Sequence, residues 1–373
     1  MPMPTPRASD HRHRRALLVA AAIFLGAGGV ATQLAPWSSA SAEPPRSTAV
    51  QTASLDTAAV ADEIEPAVAD ITTQLANGSG EAAGTGIVLT SSGRVLTNNH
   101  VIANATDIEV TIGGGGRSHD AEVLGYDVAN DVALLQVDGV SGLPTADLGD
   151  SSDLAIGDGV VALGNALGRG GAPTVTTGSV VALDREISVS DETGTTAEQL
   201  DGLIESDAPL QPGESGGPLV DDGGDVVGMN TAAQQSTGFG DAPSDVAYAI
   251  PIDDAMAVVR QIESGESSGT VHVGDRAMVG LQVRDLGRPG RVGESTGSGV
   301  QVVGIPDDSP AASTGIEAGD VLESLDGTTV RSTSDLSTAL APLDPGDEVE
   351  IVWLDGAGRR HSDTVTLVAG PPA

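Results

Sequence analysis

Between about residues 58 and 263 the sequence is a succession of short β-type runs separated by glycine-containing turns. Runs such as "GTGIVLT", "DIEVTI" and "DVALLQV" are rich in valine, isoleucine, leucine and threonine. Short strands with frequent turn signals are typical of an all-β barrel or sandwich. The sequence therefore predicts a mainly β domain over residues 59–263.

A second, smaller unit is predicted over residues 276–370. It combines strand-like runs such as "GVQVVGI" and "EVEIVWLD" with helical segments near Pro310–Gly315 and Ser334–Leu340, which indicates a small α+β domain. The stretch "SGESSGT" before it has the composition of a flexible linker, so residues 264–275 are predicted to form a hinge.

The N-terminus has the organisation of an export sequence. Residues 1–15 carry four arginines and one acid, and an uncharged apolar run follows at residues 16–37. A basic flank before an apolar run keeps the basic side in the cytoplasm. Because residues 40–42, "ASA", fit a signal-peptidase site, the run is either a cleaved signal peptide or a helical membrane anchor, followed by a linker at 38–58. The protein is expected at the extracytoplasmic face of the cell membrane or secreted.

Composition excludes several function classes. The chain has 53 acidic and 17 basic residues, a net charge of −36, so it would repel nucleic-acid backbones. It contains no cysteine, which removes disulfides, a cysteine nucleophile and thiolate metal sites, and no H-E-x-x-H metalloprotease motif. It also contains no lysine, which excludes a Ser–Lys dyad. No cofactor and no metal site are predicted.

Ser215 stands in "QPGESGGPLV", residues 211–220, with three glycines around it. A serine hydroxyl is a poor nucleophile unless a base removes its proton and N–H donors hold the oxyanion that forms. Glycines allow backbone N–H groups to turn inward without a Cβ clash. The stretch is therefore a candidate for nucleophilic catalysis.

The base and the acid must come from the same β-rich unit. Of six histidines only His100 and His119 lie there, and His100, at the end of a strand in "VLTNNHVI", is better placed than His119 in a polar glycine-rich loop. Asp131 opens the apolar run "DVALLQV", where a carboxylate can accept the other ring proton of the histidine. Three other aspartates compete for this role, and spacing alone does not exclude the first of them: Asp127, Asp107 and Asp120.

The motifs "TNNHV", "NDVALLQV" and "GESGGPLV" resemble the three catalytic motifs of the trypsin-like serine proteases of the HtrA/Deg family. Their order, His then Asp then Ser, is that of the chymotrypsin-like fold. The resemblance implies a chymotrypsin-like double β-barrel in which Ser215 is the nucleophile, His100 the general base and Asp131 its orienting acid. It also implies an oxyanion hole made by the backbone N–H groups of Gly213 and Ser215.

Two departures from the family pattern bear on the site. The family usually has asparagine before the nucleophile, where this chain has Glu214, and we hypothesise that this carboxylate adds a charge-dependent component to the order of the oxyanion loop. In trypsin an aspartate six residues before the nucleophile attracts basic side chains, whereas here Pro209 and then Leu210 occupy that region. The substrate pocket is therefore expected to favour small aliphatic side chains.

The smaller unit resembles a PDZ domain of the bacterial protease type, one copy at the C-terminal side of the protease domain. The resemblance implies that Val279, Gly280 and Leu281 form a loop whose N–H groups capture the C-terminal carboxylate of a peptide. The peptide would add as a strand beside residues 281–283, against the helix at Ser334–Leu340.

The sequence thus predicts an exported, ATP-independent serine endopeptidase that acts on unfolded or damaged proteins. One alternative is a proteolytically silent peptide-binding scaffold or chaperone of the same family. Another, an α/β-hydrolase, is disfavoured because its G-x-S-x-G elbow needs a strand before the serine and a helix after it. The partners expected are protein substrates, peptide C-termini and, if the N-terminal segment is retained, a membrane.

A homotrimer is one assembly that the resemblance implies. Family trimers use aromatic contacts near the N-terminus of the protease domain. Here only Phe24 and Trp37 precede Tyr126, and both lie outside that region, which argues against a trimer.

Overall fold

The computed structural model describes residues 56–76, 80–165, 168–190, 197–233, 246–286, 299–307 and 309–373. The predicted signal segment or anchor, its basic flank and most of the linker lie outside the described residues. No helix in the described part of the chain has the length and apolar character needed to cross a membrane.

The helices are α1 (Thr57–Ile64), α2 (Asn99–Ile102), α3 (Ile252–Ser264) and α4 (Thr333–Leu340), with short 3₁₀ turns at Glu65–Ala67, Ser151–Asp153 and Pro310–Ser313. The strands before residue 200 begin in the order β1 (Val68–Leu75), β2 (Glu81–Val88), β3 (Arg94–Thr97), β4 (Ala105–Ile112), β5 (His119–Asp127), β6 (Val132–Val137), β7 (Gly159–Gly164), β8 (Thr174–Ser190) and β9 (Ala197–Ser206). They are followed by β10 (Pro218–Val220), β11 (Val226–Ala233), β12 (Ala247–Pro251), β13 (Val271–Val273), β14 (Arg276–Met278), β15 (Gln282–Asp285) and β16 (Val300–Gly304). The last are β17 (Val321–Leu325), β18 (Thr328–Thr329), β19 (Glu348–Leu354), β20 (Arg360–Thr366) and β21 (Val368–Gly370).

Strands β1 to β6 form the first barrel. The order β5-β4-β1-β2-β3-β6 closes because β5 also pairs with β6. The β-branched and leucine side chains that suggested strands in the sequence fill its interior, and Ile71, Ile87 and Leu134 are completely buried.

Strands β7 to β12 form the second barrel, which is closed in the order β10-β11-β12-β9-β8-β7. Its buried side chains include Leu163, Leu219 and Met229. Two closed antiparallel barrels in sequence confirm the prediction of a chymotrypsin-like double β-barrel.

The segment predicted to be a hinge, residues 264–275, contains a short strand. Helix α3 ends at a left-handed Gly265, and β13 then pairs with residues 125–127 of β5, beyond the short stretch in which β5 pairs with β4. His272 of β13 lies against Tyr126 of β5, with the ring centroids 5.2 Å apart. The hinge and the domain boundaries stay predictions.

The smaller unit is the α+β domain that the sequence predicts. Its main sheet has the order β15-β16-β17-β19-β20 with β18 paired to β17, and β14 pairs with β21 in a separate two-stranded sheet. Its own core contains Val302, Leu325, Ile351 and Trp353. The two predicted helical segments are observed as the 3₁₀ turn Pro310–Ser313 and as α4, which Ser332 caps by accepting a hydrogen bond from the Asp335 N–H.

Candidate active site

His100 lies in α2, a single helical turn that follows β3 directly. Its Nδ1 is 2.9 Å from Oδ2 and 3.0 Å from Oδ1 of Asp131. The backbone N–H of His100 also donates to Oδ1 of Asp131 at 3.0 Å. One carboxylate therefore holds both the ring and the backbone of the histidine, and it favours the tautomer that carries a proton on Nδ1.

Asp131 is buried and supported from several sides. Oγ1 of Thr231 donates to its Oδ2 at 2.6 Å, and Nδ2 of Asn98 donates to its backbone carbonyl at 3.0 Å. Its φ of 53° is in the left-handed region, which is uncommon for a residue with a side chain and costs free energy that these contacts must offset. The backbone at Asp131 is thus turned so that its carboxylate faces the histidine.

The competing aspartates are placed elsewhere. The carboxylate of Asp127 caps its own turn, because it accepts hydrogen bonds from the backbone N–H groups of Ala129 and Asn130 and from the side chain of Thr270. Asp107 and Asp120 are exposed on β4 and β5. Of the four candidates, Asp131 is the one that contacts His100.

The glycines after Ser215 bring the two barrels into contact. The Thr85 N–H on β2 donates to the Ser215 carbonyl at 2.8 Å, and the Gly216 N–H donates to the Asn230 carbonyl at 2.7 Å. A Cβ on Gly216 would overlap the carbonyl oxygen of Thr85, and one on Gly217 would overlap that of Leu163. These glycines are needed because the serine turn is inserted between a strand of each barrel.

The turn before Ser215 presents two backbone donors. Both polar groups of the peptide unit between Gly213 and Glu214 are hydrogen bonded. Its carbonyl accepts from Thr85 Oγ1 at 2.7 Å, and its N–H donates to the Gln211 carbonyl at 3.1 Å. Within the described part of the chain, neither the N–H of Gly213 nor that of Ser215 donates a hydrogen bond. The two groups predicted to form an oxyanion hole are therefore available to a substrate oxygen.

The Ser215 hydroxyl is not yet directed at the base. It donates to the backbone carbonyl of Thr231 at 2.9 Å, so its single proton points away from the imidazole. Since Oγ1 of Thr231 also donates to Asp131, this threonine links the acid to the serine. The hydroxyl must leave this hydrogen bond before its proton can pass to a base.

Glu214 is buried directly beneath this turn. Its Oε2 accepts a hydrogen bond from the Gln211 N–H at 2.7 Å, whereas its Oε1 has no hydrogen-bond partner among the residues that the structure describes. Burial raises the pKa of Glu214 to about 7, although the Gln211 hydrogen bond acts in the opposite direction. Asp70 on β1 is a second buried carboxyl with one unpartnered oxygen, and burial raises its pKa to about 6.

The two residues predicted for the substrate pocket differ in their exposure to solvent. Pro209 is exposed, but the Leu210 side chain is buried with Ile204, Ala208 and Leu219 in the second barrel. Leu210 thus serves the interior of the barrel, and the preference for small aliphatic side chains stays a prediction.

The carboxylate loop predicted in the smaller unit connects β14 to β15. Gly280 has a φ of 77°, and among the described residues none of the N–H groups of Val279, Gly280 and Leu281 donates a hydrogen bond. Strand β15 is the edge of its sheet, and α4 lies beside it, with the Thr333 N–H donating to the Asp285 side chain. An acceptor group at the loop would find backbone N–H donors there, next to an edge strand of the described sheet.

Sequence reasoning missed the supporting residues Thr85, Thr231 and Asn98. The runs that contain them, "GTGIVL", "MNTAA" and "TNNHV", indicate strands or the histidine motif, but nothing local predicts which side chain reaches the other barrel. Their roles depend on contacts between residues 33 to 128 positions apart.

Two known families match the chain, a trypsin-like peptidase domain over residues 84–229 and a PDZ domain over residues 277–357. Serine protease PepD of Mycobacterium tuberculosis is 33% identical over 393 residues, covering 98% of this chain and 80% of that protein. A probable periplasmic serine endoprotease, DegP-like, of Pseudomonas fluorescens is 36% identical over 297 residues, covering 78% of this chain.

The chain spans a little over half the length of several curated relatives that it matches, 57% for the Pseudomonas protein. Among solved structures, the HtrA-type protease AlgW with a tripeptide is 31% identical, with a TM-score of 0.48, covering 85% of this chain and 98% of that chain.

Replacing Thr85 by valine is expected to lower kcat for a small peptide substrate about tenfold with little change in KM. The substitution keeps the shape but removes the hydroxyl that holds the Gly213 carbonyl and receives the Asn165 N–H. Leaving buried polar groups unpaired costs about 1–3 kcal/mol, and 1.4 kcal/mol corresponds to tenfold in rate. Steady-state kinetics of Thr85→Val and of Thr85→Ser, which keeps the hydroxyl, measure this. Equal kcat values for the wild type and Thr85→Val would contradict it.

The stability of the wild type relative to Glu214→Gln is expected to fall as the pH rises from about 4.5 to about 7. The folded-state pKa of Glu214 is raised from its ordinary value of 4.5, so the neutral acid stabilises the fold and this contribution is lost on ionisation. Asp70→Asn should give the same sign over a lower window, from about 3.8 to about 6. Chemical unfolding at each pH measures both differences.

The wild type and Glu214→Gln also test the hypothesis that charge on Glu214 affects the oxyanion loop. The ratio of fluorophosphonate labelling rates, wild type over Glu214→Gln, should change between pH 5 and pH 8, because Glu214 titrates in that range and glutamine does not. A constant ratio across that range means that the charge of Glu214 does not affect the loop.

Proposed function

The chain belongs to the HtrA family of trypsin-like serine proteases with a PDZ domain, and we propose that it is a serine endopeptidase whose catalytic triad is Ser215, His100 and Asp131. The observation that carries this proposal is the pairing of His100 with buried Asp131 next to two unpaired backbone N–H groups at Ser215. These contacts support the assignment of a base, its orienting acid and an oxyanion site at the junction of the two barrels.

In the proposed reaction the Ser215 hydroxyl turns from the Thr231 carbonyl toward Nε2 of His100. The imidazole accepts its proton as the oxygen attacks the scissile carbonyl, and Asp131 stabilises the resulting imidazolium. The N–H groups of Gly213 and Ser215 hold the oxyanion. His100 then gives the proton to the leaving amine, and an acyl-enzyme remains that water hydrolyses by the same steps in reverse.

Unfolded or damaged proteins outside the cytoplasm are the proposed substrates. The basic and then apolar N-terminus supports export, and the Pseudomonas relative is named as periplasmic. The free N–H groups of Val279, Gly280 and Leu281 support a role for the PDZ domain in binding peptide C-termini. Membrane attachment through residues 16–37 and a homotrimer stay predictions, and the proposed reaction needs no cofactor.

The second candidate is a proteolytically silent scaffold or chaperone with the same fold. The observation that favours it is the Ser215 hydroxyl bonded to the Thr231 carbonyl, since a serine held there is not activated. Hydrogen bonds of catalytic groups in a substrate-free enzyme are often loose and form on binding, so this contact is also compatible with an active protease.

Casein digestion and labelling by a fluorophosphonate probe distinguish the two candidates. The wild type should digest casein and take up the probe, whereas Ser215→Ala should do neither. Ser91→Ala, at an exposed serine, is the matched control and should behave as the wild type. If the folded wild type is not labelled and digests no casein, the chain is a silent scaffold.

Gly280→Ala is expected to weaken binding of peptide C-termini about tenfold or more. The added Cβ would overlap that of Ser309 and would sit at a φ of 77°, so the loop must move. Gly315→Ala is the matched control, because Gly315 has a φ of 80° with no atom within 4 Å of the added Cβ. The probe is a mixture of fluorescent decapeptides with free carboxylate ends, compared with the same mixture amidated. Equal binding of the two mixtures by the wild type would contradict the assignment of this loop.

A further inference from the structure

Residues 371–373, "PPA", leave the PDZ domain after β21 and contact the first barrel. The carbonyl of Pro372 accepts a hydrogen bond from the Asn104 N–H at 2.9 Å. The carbonyl of Ala373 accepts one from Nδ2 of Asn99, also at 2.9 Å. Pro372 is buried, and Ala373 packs against the core of the first barrel.

These two hydrogen bonds lie on either side of the turn that carries His100. Asn99 is the first residue of α2 and the direct neighbour of His100, and Asn104 follows the end of α2 by two residues. Asn99 is buried, and its Oδ1 has no partner in the described part of the chain, so the bond to Ala373 is the one that its side chain makes. A helix of one turn is not stable by itself, so its position depends on contacts at its ends.

Tyr126 is a second contact point of the same segment. It is buried on β5, where its ring lies against His272 of β13. Burial raises the pKa of Tyr126, while nearby Arg276 and a backbone hydrogen bond with Ala373 act in the opposite direction. Arg276 begins β14 and Ala373 follows the end of β21 by three residues, so both groups lie next to the two-stranded sheet.

The other end of the segment leads to the carboxylate loop of the PDZ domain. Strands β14 and β21 pair through Arg276 with Gly370 and through Met278 with Val368. Met278 is followed by Val279 of the loop, and Gly370 is followed by two prolines, whose fixed φ makes the connection stiff. A continuous set of contacts therefore runs from the loop through β14, β21 and residues 371–373 to α2.

We propose that residues 371–373 are a clasp that positions His100 and is anchored in the PDZ domain by the pairing of β21 with β14. The proposal rests on the proposed protease function. Asp131 holds the ring and the N–H of His100 from one side, and the clasp holds the two ends of its helix from the other. The clasp touches neither substrate nor the reacting atoms, so its residues act as positioning residues.

Deleting residues 371–373 tests the positioning role. The kcat for a small peptide substrate should fall about tenfold or more with KM little changed, because a displacement of about 1 Å of a catalytic group can cost on the order of 10²-fold. The downfield proton resonance of the His100 Nδ1–H should shift or broaden, which a loss of stability alone would not cause. Pro371→Ala, which keeps both carbonyl acceptors, is the control and should retain the wild-type values.

Asn99→Asp provides a second variant in case the deletion does not fold. It keeps the size of the side chain but replaces the donor to Ala373 by an acceptor, so kcat and the His100 resonance should change in the same direction. Wild-type kcat and an unchanged resonance in the folded variants would overturn the clasp. If the wild type itself is inactive, the protease assignment fails, and the His100 resonance alone still tests the clasp.

Discussion

The close approach of the two barrels at Ser215 is the constraint on which the rest of the site depends. The backbone of the serine turn is hydrogen bonded to Thr85 on one side and to Asn230 on the other, at a distance that no side chain would allow at Gly216 or Gly217. Because these contacts are between backbone groups of rigid strands, the two N–H donors before and at Ser215 have defined positions. Asp131 and His100 come from the first barrel, and Thr231 of the second barrel links Asp131 to Ser215.

Buried polar groups at the junction are of two kinds. Asp131 is fully supplied with donors from His100, Thr231 and Asn98, which offsets the cost of its burial and of its left-handed backbone. Glu214 has one hydrogen-bonded oxygen and one without a partner among the described residues, and burial raises its pKa. The first arrangement is a rigid support, whereas the second predicts that the turn at Ser215 is sensitive to pH.

Much of the fold could be predicted from the sequence because its signals are local. Alternating β-type runs and glycine turns predict the strands of both barrels, and "PAAS" and "TSDLSTAL" were recognised as turn or helix. The flexible composition of residues 264–270 does not reveal that Val271–Val273 pair with the end of β5, because that contact joins distant segments. Asp127 and Asp131 were both open candidates, since four residues of spacing do not reveal that Asp127 caps its own turn.

By itself the sequence determined the kinds of residues available: one glycine-flanked serine, one histidine at a strand end and a set of aspartates, with no cysteine or lysine to offer another chemistry. Only the tertiary structure decided which aspartate faces His100, that Thr85 and Thr231 support the site, and that residues 371–373 reach the helix of the histidine. The physical reason is that residue type and local backbone preference are properties of short segments. Hydrogen bonds between strands of different barrels, and between a PDZ domain and a protease domain, exist only once distant segments have packed together.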